Sequence, residues 1–209
     1  MTTRLNLYNS ALLYCSEPPL ASLEDETVAR RVLDAVWDDG AVDKILAEGL
    51  WNNALRARSL AADPELAPAF GQAHAFRQPD DFVRLAAIAL DPHMNQPLTG
   101  YLEEAGYWFA DAEPVYVSYV SNDGAYGGDL SRWPPALAEA AARWIASVAA
   151  HGFNKAETQI QRMEQSAREA FVIARGRDAA QQATRFLPSG RWLRARSRRN
   201  GWGGRATCV

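Results

Sequence analysis

The stretch GYWFADAEPVYVSYVSN, residues 106–122, decides how this chain folds. Within it Val115, Val117 and Tyr119 alternate with Tyr116, Ser118 and Val120, the period-two spacing of a β-strand. Neither set is polar enough to face only water, so both faces of the strand are expected to be partly covered. The segment ADAEP separates this strand from GYWF by a length suited to a hairpin, and the two runs are expected to pair. Working outward, residues 52–121 hold six of the eleven prolines. They also contain the short extended runs ALRARSL, AHAF, DFVRLAAIAL and PLTGYL. The middle third therefore reads as a small, mostly antiparallel β subdomain.

Helical periods flank it on both sides. Residues 6–16 (NLYNSALLYCS) predict a short helix with Leu7, Ala11 and Tyr14 or Cys15 on one side, broken by EPPLAS. Ser22 is the expected N-cap of the next helix, with Asp25 three positions on. From there to about Ala47, apolar residues recur at Val28, Val32, Val36, Val42, Ile45 and Leu46. This predicts one long helix that tolerates Gly40. Downstream, SNDGAYGGDLSRW is rich in turn formers, and Pro134 and Pro135 suit the first turn of a helix. That helix carries Leu137, Ala141, Trp144, Ile145 and Val148 on one stripe. Asn154 with Glu157 forms a second capping pattern. It opens a helix with Ile160, Met163, Ala167, Phe171 and Ala174, running to about Gln182. The expected fold class is α+β: a helical bundle built from residues 1–51 and 122–182, a β subdomain inserted at 52–121, and an extended arm over 183–209.

A hydrophobic fraction of 48% and a charged fraction of 22% are those of a soluble globular chain. No apolar run approaches the roughly 18 residues that span a bilayer, and the N-terminus lacks the pattern of a secretory signal. The two cysteines, Cys15 and Cys208, sit at opposite ends and make no disulfide framework. Cys15 is expected to be a small buried apolar residue, and the chain to reside in the cytosol. The net charge of −3 hides a strong asymmetry. No Asp or Glu follows Asp178, whereas arginine occurs at 185, 191, 194, 196, 198, 199 and 205. Residues 1–178 therefore sum to −10 and the remainder to +7.

Catalytic and metal chemistry find little support. His74, His93 and His151 form no i, i+4 pair and there is no HExxH; His93 near Asp91 reads as a turn and His151 as a helix-end residue favoured by the dipole. The adjacent acids Asp38–Asp39, Asp80–Asp81 and Glu103–Glu104 point apart on any regular element and make no dyad. GAYGG at 124–128 has no lysine to follow it as in a phosphate-binding loop, and no GxSxG occurs. The expectation is a non-enzyme without cofactor or metal. Of seven tryptophans, Trp37, Trp51, Trp108, Trp133 and Trp144 fall in or beside predicted elements as core anchors. Trp192 and Trp202 instead lie among the terminal arginines.

Several segments together carry a family resemblance: LYNSALLYCSEPPLASLEDETVARRVLDAVWDDGAVDKILAEGLWNNALRA, PAFGQAHAFRQPDDFVRL, PLTGYLEEAGYWFADAEPVYVSYVSN and RFLPSGRW. In this order, over nearly the whole chain, the sequence resembles the phage tail tubular protein A family, the head-to-tail connector proteins of short-tailed phages. The resemblance implies a virion structural protein at the head–tail junction, assembled in the host cytoplasm into a ring of about twelve copies. That ring binds the portal protein above and the next tail component, a nozzle or tail-tube protein, below. It also implies that the C-terminal segment grips the portal, here through Arg185, Phe186, Leu187, Pro188, Arg191, Trp192, Arg194, Arg196, Arg198, Arg199 and Trp202. Double-stranded DNA would pass through a lumen whose negative charge repels phosphate.

Read from the residues alone, two functions compete for the arm. Seven arginines without an acid suit salt-sensitive, sequence-independent DNA binding. Apolar residues interspersed among them suit docking on a protein, where Trp and Arg dominate the binding energy. A purely electrostatic tail does not require Phe186, Leu187 or either tryptophan, which favours docking. A lytic tail enzyme is a third reading, disfavoured by the lack of an acid/base pair.

Overall fold

A computed structural model of the chain describes residues 1–66, 68 and 71–181. The arm residues named above, and Cys208, lie outside them. The fold is α+β. Three helices come first: α1 (Arg4–Cys15), α2 (Val28–Asp38) and α3 (Ala41–Ala47). Six strands follow: β1 (Leu55–Leu60), β2 (His74–Arg77), β3 (Phe82–Ala89), β4 (Leu102–Glu104), β5 (Tyr107–Ala110) and β6 (Val115–Ser121). A 3₁₀ turn at Leu130–Arg132 leads to α4 (Pro135–Gly152) and α5 (Glu157–Ala180).

Local chemistry sets the helix ends. Thr3 caps α1 by accepting from the Asn6 amide at 3.2 Å, and Ser16 leaves the helix in the left-handed region at φ 55°. The cap of α2 is Thr27, not Ser22: its hydroxyl accepts from the Arg30 amide at 3.2 Å. Asp25 turns backward instead, its carboxylate accepting from the Ala21 and Ser22 amides at 2.7 and 3.1 Å. The expected single helix over 22–47 is two helices. Gly40 adopts φ +77°, a left-handed conformation that ends α2 and lets α3 set out in a new direction. Asn154 does not cap α5 either. It occupies the left-handed region at φ 53°, and Ala156 stands at the N-cap position without a side-chain bond.

Helix α4 is the axis of the helical body, packed by α1, α2, α3 and α5. It can be enclosed because its buried face is mostly alanine: Ala140, Ala141, Ala142, Ala146 and Ala149 let neighbouring backbones approach. Gly152 continues this at the C-terminus, where an added Cβ would meet Val32 at 2.6 Å. The helical core also contains Leu7, Leu12, Leu33, Ile45, Trp51 and Phe171. Cys15 is buried in it, its thiol donating to the Ala146 carbonyl at 3.5 Å.

The six strands form two antiparallel sheets, ordered β1-β6-β3 and β2-β5-β4. The expected β5–β6 hairpin is absent. The hairpin is β4–β5, with Glu104 opposite Tyr107 and only Ala105 and Gly106 between them. Both have positive φ, 50° and 80°, the requirement of a type I′ turn whose twist matches its strands. The link 111–114 carries the chain from one sheet to the other. Asp111 accepts from the Ala73 amide at 2.8 Å before β2, and Glu113 accepts from the Ala62 amide at 3.1 Å after β1. Pro114 offers no N–H with which a ladder could continue.

Strand β6 joins the two halves of the molecule. Val115, Val117 and Tyr119 face a second core with Phe76, Ile88 and Trp108. Val120, on the other face, belongs to the helical core.

Candidate functional site

Among the described residues, two polar clusters and the flanks of α5 are able to bind or to hold a binding surface. The first cluster sits where β1, β3 and β6 meet the turn at 122–128. Asp81 immediately precedes β3, and its carboxylate accepts from Arg56 at 2.8 Å, from the Tyr119 hydroxyl at 3.1 Å and from the Ser121 hydroxyl. Arg56 also lies over the Tyr126 ring at 4.9 Å and 3.5 Å from Asp123. Burial on its own would raise the Asp81 carboxyl, but the bonds donated by Ser121, Arg56 and Tyr119 outweigh it and hold the group below its usual range. Tyr119 moves the other way: burial, and the hydrogen bond to Asp81, push it up to about 12. Every group here has its partner within the chain, so the cluster is a structural hub. Asp80, next to it, points to solvent and, among the described residues, pairs with Arg77 at 3.4 Å.

The second cluster pins the loop EGLWNN, residues 48–53, between α3 and β1. Arg84 of β3 donates to the Ala47 carbonyl at 2.8 Å, and Arg175 of α5 donates to the Glu48 carbonyl at 2.8 Å. Asp178, in the last turn of α5, accepts from the Asn52 amide at 3.1 Å, while the Asn52 side chain donates to the Asp178 carbonyl at 2.8 Å. Trp51 is sealed under the loop against Phe171, the ring centroids 6.3 Å apart. The side chain of Asp178 is buried, and among the described residues no cation lies within ion-pair distance of it. Its burial pushes the carboxyl up, and the Asn52 amide offsets this only in part. An anion at a helix C-terminus also faces the negative end of the macrodipole.

Sequence reasoning missed both acids. For Asp178 a signal was present. The buried residues of α5 are Ile160, Ala167, Phe171, Ala174 and Asp178, so an acid occupies the next position of an otherwise apolar stripe. For Asp81 none existed, because Asp80 and Asp81 are equivalent until the sheet turns one inward.

Helix α5 meets the rest of the body along that single stripe, which leaves a groove on each flank. One, of about 480 Å³, runs past Trp144, Val148, Arg168, Phe171, Val172 and Arg175. The other, of about 320 Å³, runs past Ala136, Glu139, Arg143, Glu169, Ile173 and Arg177. Val172 and Ile173 are 61% and 55% exposed, one on each side.

The remaining candidates are accounted for locally. His74 lies 3.7 Å from Glu113. Asp91 accepts from the amides of His93, Asn95 and Gln96, closing its own turn, and His151 is in the last turn of α4. Among the described residues no group of three or more His, Cys, Asp or Glu is arranged to hold a metal, and no helix is long and apolar enough to cross a membrane. Trp51, Trp108 and Trp133 are buried, the last donating to the Gly127 carbonyl at 2.8 Å. Trp37 is half-buried beneath Arg4, 5.0 Å from the guanidinium. Comparison with protein-family models and with curated proteins returned no match for this chain.

Proposed function

We propose that this chain is a head-to-tail adaptor of a phage virion, forming a ring beneath the portal and joining capsid to tail without catalysis. The observation that carries the reading is the segregation of charge along the chain. A body of net −10 ends in a rigid helix, and the residues that follow carry +7 with Phe186, Leu187, Trp192 and Trp202 among them. At 1.5 Å per residue, α5 is a rod of roughly 36 Å, long enough to present that segment at one end of the body.

The flanks of α5 supply what a ring needs laterally. Exposed Val172 and Ile173, about 100° apart on one helix, border different grooves, so one copy offers two different surfaces, as head-to-tail closure requires. The acidic stretch from Glu24 to Glu48, with eight acids against three basic residues, supplies a surface that repels phosphate and suits a DNA conduit. In this reading the arginines steer and register the arm on an acidic portal surface, and the apolar residues hold it.

The test removes residues 183–209 and measures co-sedimentation with purified portal oligomer. The truncated chain keeps both cores and is expected to retain its thermal transition while losing portal binding; normal binding refutes the docking arm. In sedimentation the intact protein is expected to be largely monomeric alone and ring-forming with portal. A closed ring without portal contradicts templated assembly. The terminal arginines favour one second reading, direct DNA binding. It predicts affinity for duplex DNA that falls steeply with salt and vanishes with the arm.

A further inference from the structure

The groove on the Ile173 flank of α5 continues past Arg143. A second pocket, of about 230 Å³, opens on the far side of that guanidinium, with Tyr14, Ala146 and Met163 around it. Arg143 and Ser166 border both, so α4 and α5 together present one furrow from Gln159 to Arg177. At 1.5 Å per residue its length along α5 is roughly 27 Å. Arg143 is fixed across its middle, donating to Glu139 at 2.8 Å and to the Ser166 hydroxyl at 2.5 Å, and lying over the Tyr14 ring at 4.7 Å. Along α5 the furrow carries charges of alternating sign: Arg162, then Glu169, then Arg177. Among the described residues neither Arg162 nor Arg177 has an acidic partner, and Glu169 accepts from the neutral Gln165 at 2.8 Å.

The outer face of α2 carries the opposite signs at matching intervals. Ala29, Val32, Leu33, Val36 and Trp37 turn toward the helical core. Val28, Arg31, Ala35 and Asp38 follow one another along the outer stripe and are exposed, as are Glu24 and Glu26 in the turn before the helix. The order is acid, base, acid at Glu24, Arg31 and Asp38, against base, acid, base at Arg162, Glu169 and Arg177. The steps are seven and seven residues in the first set, seven and eight in the second. On a helix each step is about two turns, or roughly 11 Å. With Arg31 set against Glu169, Val28 falls beside Met163 and Ser166, and Ala35 beside Ile173. Among the described residues Glu24 and Arg31 have no ion partner, and Asp38 pairs with Arg4 at 3.8 Å while its side chain is 74% exposed. One copy cannot bring the two faces together. Its α2 is fixed by Leu33 in the core and by Val32 beside Gly152, and no α2 residue lines the furrow.

We propose that the furrow between α4 and α5 receives the outer face of α2 from a second copy of this chain. The two helices run parallel, with Glu24 against Arg162, Arg31 against Glu169 and Asp38 against Arg177. Val28 and Ala35 of the incoming helix cover Met163 and Ile173. Alternating signs also set the register, because a slip of two turns brings Arg31 to Arg162 or Arg177, like charge against like. The contact joins two different faces, so each copy keeps one of each free and the pairing repeats in one direction around an assembly. It deepens the adaptor reading, on which its place in a ring rests, by naming the lateral partner of the Ile173 flank.

Charge reversal in separate chains tests the contact. Arg31→Glu and Glu169→Arg each alter an exposed side chain outside both cores, so each variant keeps the fold, which circular dichroism checks. Sedimentation velocity is run on a concentration series up to the solubility limit, at low salt. The unmodified chain is expected to pass from monomer to larger species at the upper end. Each variant alone is expected to need at least about tenfold more protein for the same shift. An equimolar mixture of the two variants is expected to regain the behaviour of the unmodified chain. In it the two reversed side chains meet at one junction, and the original pair meets at the next. An unmodified chain that stays monomeric throughout, single variants that associate as it does, or a mixture no better than its components overturns the contact. Portal takes no part in this series. A chain that passes it and still fails to bind portal refutes the adaptor reading and leaves the contact standing. Normal rings formed on portal by Arg31→Glu alone support the adaptor and overturn the contact.

Discussion

Asp81→Ala is the substitution whose cost the structure defines most sharply. The side chain of Asp81 is 15% exposed and that of its partner Arg56 is 20% exposed, so water replaces the lost carboxylate poorly. Removing it strands the Tyr119 hydroxyl and the Ser121 hydroxyl, both on residues with no solvent exposure, and leaves Arg56 with the more exposed Asp123 at 3.5 Å. Leaving buried hydroxyls unsatisfied costs about 1–3 kcal/mol. In a domain of this size each kcal/mol lowers the melting temperature by about 2–4 °C, so the expected loss is roughly 2–12 °C. Thermal and urea unfolding followed by circular dichroism measure it. The neighbouring Asp80→Ala is the control: that carboxylate is 93% exposed, and its removal is expected to change stability by less than about 0.5 kcal/mol. Equal effects of the two substitutions refute the assignment of Asp81 as the hub. The pH dependence provides a second check. Because the folded-state carboxyl is held below its unfolded value, its contribution is full above the unfolded value near 3.9 and is lost as pH falls through the lower folded value. The difference between the parent and Asp81→Ala should therefore persist from neutral pH to about pH 4 and shrink only below it.

Two glycine substitutions test the backbone. At Gly127 an added Cβ would meet Leu46 at 2.7 Å, Ala54 at 2.9 Å and the Ser121 carbonyl. Gly127→Ala is therefore expected to cost about 1–3 kcal/mol in urea unfolding, whereas Gly124→Ala, with nothing within 4 Å, should leave the midpoint unchanged. Gly40→Ala forces a side chain into the left-handed region and is expected to cost about 1–2 kcal/mol. Space is open there, so Gly40→Asn should recover most of that loss in the same assay. If Gly40→Ala is neutral, the glycine does not end α2 through its backbone conformation.

The class of each segment was legible from local pattern. Periods of 3.6 and 2 come from the geometry of a single helix or strand, so helices at both ends and strands between them were legible without the fold. Charge was equally legible, since it is a sum. The strand partners were not. The chain had a credible hairpin at ADAEP, but Ala105 and Gly106 turn more tightly and offer two residues at positive φ, while Asp111 and Glu113 are tied to opposite sheets. Pairing is settled by which arrangement buries both faces of β6, a property of the whole assembly of strands. The break at Gly40 has the same origin: one continuous helix suits the local apolar period, whereas Ala41, Ile45 and Leu46 reach the core only when the helix is interrupted. Only the tertiary structure told Asp81 from Asp80 and placed the acid of α5 against the loop at Trp51. A charge acquires its meaning from its depth and its partners, and both are long-range facts.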